Sequence, residues 1–228
     1  MGWASRRTDW LPRYTCMTDT ACDCSERPSD SPAAPASTPP GWIAEHSVLE
    51  TALPPDLQAA LGRFVGHDTV ETLAKWADIV REHTGGGSIA IDDLCHRVEP
   101  TEHWGTVDDD RWYFVCFYDA VILAALIDEP VDIRTLSPIG EVIEATAVGS
   151  DDLVLSPKSA VFSFGIEPTG RAGANTPPTL EEGYAAICPY VQAFPDKQSY
   201  EQWAVSVPAI TVGMPLEGAT DLARRLAK

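Results

Sequence analysis

The sequence predicts an α+β protein: an N-terminal, reduced winged-helix-like helical segment, followed by a mixed domain of short strands and helices. Three observations carry this reading. Apolar residues recur at helical spacing between residues 56 and 80. Two aromatic-rich runs, 104–107 and 112–115, flank an Asp-rich turn and read as a β-hairpin. Beyond residue 130, short β-prone runs broken by Pro, Gly and Asp alternate with helical patterns. With 228 residues the chain is long enough to bury a core in one or two domains.

Residues 1–41 read as a disordered tail. The Pro/Ala/Ser tract at 29–40 offers almost no apolar side chain to bury. Met17 begins an alternative start, Met17-Thr18-Asp19-Thr20. Residues 42–115 form the helical, winged-helix-like segment with its hairpin. Leu57, Leu61, Phe64 and Val65 define a first helix, and Val70, Leu73, Trp76, Ala77 and Val80 a second. Gly85-Gly86-Gly87 ends the second, and Ser88 is placed to cap a third over 89–98.

Residues 116–228 form the second domain. An apolar helix over 116–127 opens it. Strands are expected over 131–135, 141–148, 153–155 and 160–166, and a loop over 169–178. A helix over 180–187 must stop at Cys188, because the residue before Pro189 disfavours the α conformation. A strand over 190–194, a helix over 199–205, a strand over 210–212 and a helix reaching Ala227 complete it.

Composition narrows the function. Acidic residues number 34 against 16 basic, for a formal net charge of −18, and lysine is rare. This fits a salt-adapted surface, on which screening removes self-repulsion, as well as an ordinary acidic cytoplasmic protein. It argues against nucleic-acid binding, which needs a basic footprint, and so against a transcription regulator built on the helical segment. No apolar run approaches the ~18 residues of a membrane span, and no apolar leader follows Arg6 and Arg7. The expected location is the cytoplasm. The six cysteines, Cys16, Cys22, Cys24, Cys95, Cys116 and Cys188, then read as reduced thiols, available to soft metals or catalysis.

Cys116 and Asp119 stand out among the candidate functional residues. They lie in the run Trp112-Tyr113-Phe114-Val115-Cys116-Phe117-Tyr118-Asp119, which leads into the apolar stretch 120–127. A carboxylate in such surroundings is expensive to ionise. The spacing of three puts thiol and carboxyl on one face of a helix. The residues alone leave a plainer account open: Cys116 packs in the core, as free cysteines do, and Asp119 caps the helix that follows. Cys95 is followed by His96, but neighbours on a helix point in different directions. The pair is therefore not a preassembled dyad, and Cys95 reads as structural. Cys22-x-Cys24 can chelate a soft ion or be an incidental pair in the tail.

The chain resembles the organomercurial (alkylmercury) lyases over roughly residues 102–215. The resemblance rests on the aromatic strand running into Cys116, on Asp119 and the apolar helix after it, and on the preceding Val107-Asp108-Asp109-Asp110-Arg111 turn. It rests also on Ala186-Ile187-Cys188-Pro189-Tyr190-Val191, with Tyr200-Glu201-Gln202-Trp203-Ala204 after it. The chain departs from the family in its short N-terminal helical region. It lacks a Cys shortly after the central helix, and it has Pro189 where members often carry a second thiol.

The resemblance implies protonolysis of a carbon–mercury bond, with Cys116 and Cys188 as mercury-binding thiolates and Asp119 as proton carrier. It implies no cofactor, because mercury is the substrate's own atom. A mercuric reductase or small thiols would accept the released Hg(II). The alternative is a non-catalytic protein that binds mercury or copper through the same thiols.

Overall fold

The computed structural model describes residues 41–43, 48–83, 86–169 and 177–228. Residues 1–40 of the expected tail, with Cys16, Cys22, Cys24 and the alternative start at Met17, lie outside the described residues, as does most of the 169–178 loop; its last residue, Gly41, belongs instead to a strand.

Two helices come first, α1 (Pro55–Val65) and α2 (Leu73–His83). In α1 proline sits at the first turn, where its missing N–H costs nothing, and Gly66 closes the helix in the left-handed conformation at φ 77°. Each helix buries one face: Leu57, Leu61 and Phe64 from α1, and Leu73, Trp76 and Ile79 from α2.

The helix expected over 89–98 does not form. A short 3₁₀ turn, Ile91–Asp93, and the two-residue strand β2 (His96–Arg97) take its place. Asp93 accepts a hydrogen bond from the Ala90 amide at 2.8 Å, which closes the turn, and His96 pairs with Phe114. Asp is a poor helix former because its side chain competes for local backbone groups. A single short helix is marginal by itself, so strand pairing prevails.

The hairpin forms as expected, from β3 (His103–Val107) and β4 (Asp110–Phe114). Asp108 takes a left-handed φ of 51° at its turn, a conformation Asp tolerates. The hairpin joins β5 (Pro130–Leu136), β6 (Val142–Val148) and β7 (Asp152–Ser156) in an antiparallel sheet ordered β2-β4-β3-β5-β6-β7. A second sheet combines β1 (Gly41–Trp42), β8 (Val161–Ile166), β9 (Ala193–Phe194) and β10 (Ile210–Pro215) in the order β1-β10-β8-β9. Only β1 runs parallel to its neighbour. Every residue of β8 is buried, as expected of a strand covered on both faces.

The helix α3 (Tyr118–Ile127) is apolar on nearly every side and lies in the core against β5 and the C-terminal helix α6 (Ala219–Ala227). The remaining helices, α4 (Leu180–Ile187) and α5 (Lys197–Ala204), pack against β8 and β10. Instead of a strand from residue 190, a 3₁₀ turn at Cys188–Tyr190 precedes the shorter β9. The architecture is thus mixed α+β. No helix among the described residues is long and apolar enough to cross a membrane.

Candidate active site

The site is assembled where β4 turns into α3. The Val115 amide donates to the Cys95 carbonyl at 3.0 Å, which ties the end of β4 to the segment entering β2. Phe117 is the N-cap of α3 and caps with no side-chain bond; Asp119 lies in the first turn. The carboxyl of Asp119 is therefore not the helix cap. It points into protein instead, and Cys116 donates to its Oδ2 at 3.8 Å.

Tyr118, between them, anchors this corner. Its hydroxyl donates to the buried Ala219 carbonyl at 2.6 Å, and its ring stacks on Phe162 at 5.8 Å between centroids. The corner is thereby fixed to both α6 and β8.

Cys188 arrives from the turn that follows α4. The Thr179 hydroxyl caps α4 by accepting from the Glu182 amide, and the Glu182 carboxylate accepts in turn from the Thr179 amide. At the other end Pro189 forces the turn in which Cys188 sits. The segment after it is clamped by Ser163 of β8. The Ser163 hydroxyl donates to the Tyr190 carbonyl at 2.8 Å, and its amide donates to the Gln192 carbonyl at 2.9 Å.

These constraints bring the two thiols and the carboxyl to within 4.8 Å of one another. All three are buried: Cys116 is 4% exposed, Asp119 5% and Cys188 6%. Burial pushes the Asp119 carboxyl up to about 7; the Cys116 thiol and the Cys95 amide hydrogen-bond to it and pull the other way. Hydrogen bonding with Cys188, then burial, holds the Cys116 thiol well above the ordinary cysteine range. At rest the proton therefore belongs to sulfur before it belongs to the carboxylate.

A cavity of about 140 Å³ opens onto the three groups. Its walls are apolar and aromatic, with Phe64 from α1, Trp76 and Ile79 from α2, Phe162 and Phe164 from β8, and Tyr184 from α4. Trp76 meets Phe164 edge to face at 5.7 Å.

Sequence reasoning missed two contributors. The helical segment supplies one wall of the cavity, and neither Phe64 nor Trp76 carries a local signal of that. Cys95 lies beside the site: its amide reaches Asp119, and its thiol is close enough to Cys188 and Asp119 for each to disfavour its thiolate. Burial comes first among the causes that push this thiol up to about 11. His96, by contrast, is exposed; its Nδ1 lies 3.1 Å from the Leu94 carbonyl and its ring meets Trp112 edge to face.

Two soft thiols and a protonatable carboxyl converge beside an apolar cavity, a donor set that could hold a soft metal ion. The alkylmercury lyase (MerB) family profile matches residues 98–228, more than half of the chain, and the chain belongs to that family. Among solved structures, the mercury-bound form of MerB2 matches at 19% identity with a TM-score of 0.44. The match covers 58% of this chain and 60% of that one. No curated protein matches the chain.

Proposed function

We propose that this protein is an organomercurial lyase that cleaves the carbon–mercury bond by protonolysis, giving a hydrocarbon and Hg(II). The observation that carries the reading is the convergence of Cys116, Asp119 and Cys188 within 4.8 Å. Mercury is soft and prefers thiolate. When an organomercury cation binds Cys116, the metal displaces the thiol proton. The nearest base is the Asp119 carboxylate, 3.8 Å away. Cys188 loses its own proton to solvent and supplies the second thiolate, which adds electron density to mercury and weakens its bond to carbon. Asp119 then delivers the proton to carbon. The apolar cavity accepts the organic group and keeps water from the charged intermediates. Mercury is substrate and product, not a resident cofactor.

In this reading residues 42–115, as a reduced winged-helix-like unit, supply the apolar wall, and residues 116–228 supply the thiols and the carboxyl. The protein acts in the cytoplasm in mercury detoxification, and the Hg(II) passes to a mercuric reductase or to small thiols. A plain mercury- or copper-binding protein would use the same sulfurs, but it has no use for a buried carboxyl held at about 7.

Hydrocarbon release from methylmercury tests the reading, with mercury retention measured beside it. Wild type should release methane. Cys116→Ala and Cys188→Ala should abolish release. Asp119→Asn should keep mercury bound yet lose ~10²- to 10⁴-fold in rate, the usual contribution of a general acid. Near-normal release from Asp119→Asn would refute the assigned proton route. No release from wild type would leave only the binder.

A further inference from the structure

The cavity beside the two thiols and the carboxyl has a definite size and a definite wall. Its volume is about 140 Å³. An apolar cavity of about 150 Å³ walled by Leu, Ile and Phe takes up benzene. A methyl group fills little of such a space, and walls left without a neighbour forfeit their dispersion contacts. One aromatic ring fills it.

Helix α2 lays Trp76, Ile79 and Val80 along the cavity, at the i, i+3 and i+4 spacing of one helix face. Trp76 is buried, and two rings hold its indole: Phe64 lies tilted at 6.4 Å and Phe164 edge to face at 5.7 Å. From α4 come Gly183, Tyr184 and Ile187, on the face that continues to Cys188. A Cβ placed on Gly183 meets no atom within 4 Å. Glycine weakens a helix interior, and here it leaves room on the α4 wall. Trp76 lies outside residues 98–228, which carry the thiols, the carboxyl and the family match.

We propose that the cavity is a seat for a single aromatic ring and that Trp76 is its specificity-determining residue, so that the protein prefers arylmercury to methylmercury. The proposal rests on the lyase reading for the mercury atom, and on the cavity alone for the ring. The ring lies against Trp76 and Phe164 in the offset or edge-to-face geometry that aromatic rings favour. In phenylmercury the electron pair of the carbon–mercury bond goes to a new carbon–hydrogen bond. The ring leaves as benzene with the proton that Asp119 delivers, and Hg(II) stays on the sulfurs of Cys116 and Cys188.

The test compares phenylmercury with methylmercury on the full chain, as the ratio of their kcat/KM values. A ratio taken on one variant cancels any change in its folded fraction. The intrinsic reactivity of the two carbon–mercury bonds enters the wild-type ratio, but a substitution in the wall leaves that contribution alone. Trp76→Leu should lower the ratio of phenyl to methyl roughly 2- to 10-fold, which is what an aromatic pair adds beyond its buried area. Trp76→Phe should restore most of it. Gly183→Leu suits a helix better than glycine does. It should lower the ratio by crowding the ring, and it decides the matter if Trp76→Leu misfolds. An unchanged ratio in Trp76→Leu, or in Gly183→Leu if that variant has to stand in, would overturn the proposal.

Benzene binding to the mercury-free protein separates the seat from the chemistry. Benzene should raise the melting temperature of wild type, as a ligand of the folded state does, and raise that of Trp76→Leu less. No rise in wild type would overturn the seat. A rise without hydrocarbon release from either mercurial would refute the lyase reading and leave the seat standing.

Discussion

The Cys116 thiol donates to Asp119 Oδ2 across 3.8 Å, with both groups buried. An ionised carboxylate there has lost most of its water, and the donors it gains do not make up for that loss. This explains why the carboxyl is pushed up from 3.8 to about 7.

The shift makes stability depend on pH with a definite sign. A carboxyl with a raised folded value holds its proton more tightly when folded than when unfolded. Its penalty is absent below pH 3.8, grows as pH rises and is complete above about 7. Over that window the cost is on the order of 4 kcal/mol. Asp119→Asn removes the ionisation. The variant should therefore gain melting temperature relative to wild type as pH rises from 4 to 8, with the gap flat above that. A gap independent of pH would mean that Asp119 stays charged, or stays neutral, throughout.

Much of the fold was legible. The helix ending at Cys188 is set by Pro189, and the apolar helix after Asp119 by its continuous run. The strands now seen as β5 to β8 are set by their breakers. The pairing of Cys116 with Asp119 was legible as a spacing, and the addition of Cys188 only through the family resemblance. What failed was the segment 89–98. Its apolar residues mimic a helical face, but Val98 is 96% exposed and faces no core. The same failure hid Cys95, because only the register His96↔Phe114 brings it beside Val115. Register between distant strands is a tertiary property, and no local pattern states it.

Tyr118 holds the corner between β4 and α3 in place through one buried hydrogen bond to the Ala219 carbonyl. Tyr118→Phe keeps the ring stacked on Phe162 but leaves that carbonyl without its donor. The expected loss is ~1–3 kcal/mol of stability by denaturant titration. Hydrocarbon release should fall as well, because α3 carries Asp119. A variant of unchanged stability would show that the corner is fixed by packing alone.

The charge imbalance predicts a response to salt. The arginines near the C-terminus are already engaged, Arg225 with Asp78 and Arg224 with Asp221 and Asp151. The exposed acidic runs Asp108-Asp109-Asp110 and Asp151-Asp152 crowd like charges together. Screening relieves that repulsion. Melting temperature should rise from low to high KCl. A flat or falling curve would refute salt adaptation without touching the site.

The last prediction separates the tail from the edge of the second sheet. Gly41 and Trp42 pair in parallel with Val212 and Gly213, and the Ile43 amide donates to the Gly213 carbonyl at 2.9 Å. The Tyr200 hydroxyl donates to the Gly41 carbonyl at 3.1 Å, and the Lys197 ammonium sits 4.7 Å from the centre of the Trp42 ring. Residues 41–43 thus belong to the fold. Removing residues 1–40 should leave melting temperature and single-turnover hydrocarbon release unchanged. Removing residues 1–43 also strips the buried Ile43 side chain, 3% exposed, and uncovers the edge of β10. Burying one such side chain contributes ~1.5–3 kcal/mol, and the longer truncation should lose at least that. If the shorter truncation already abolishes release, the tail takes part in the chemistry. In that case Cys22 and Cys24 become the first residues to replace.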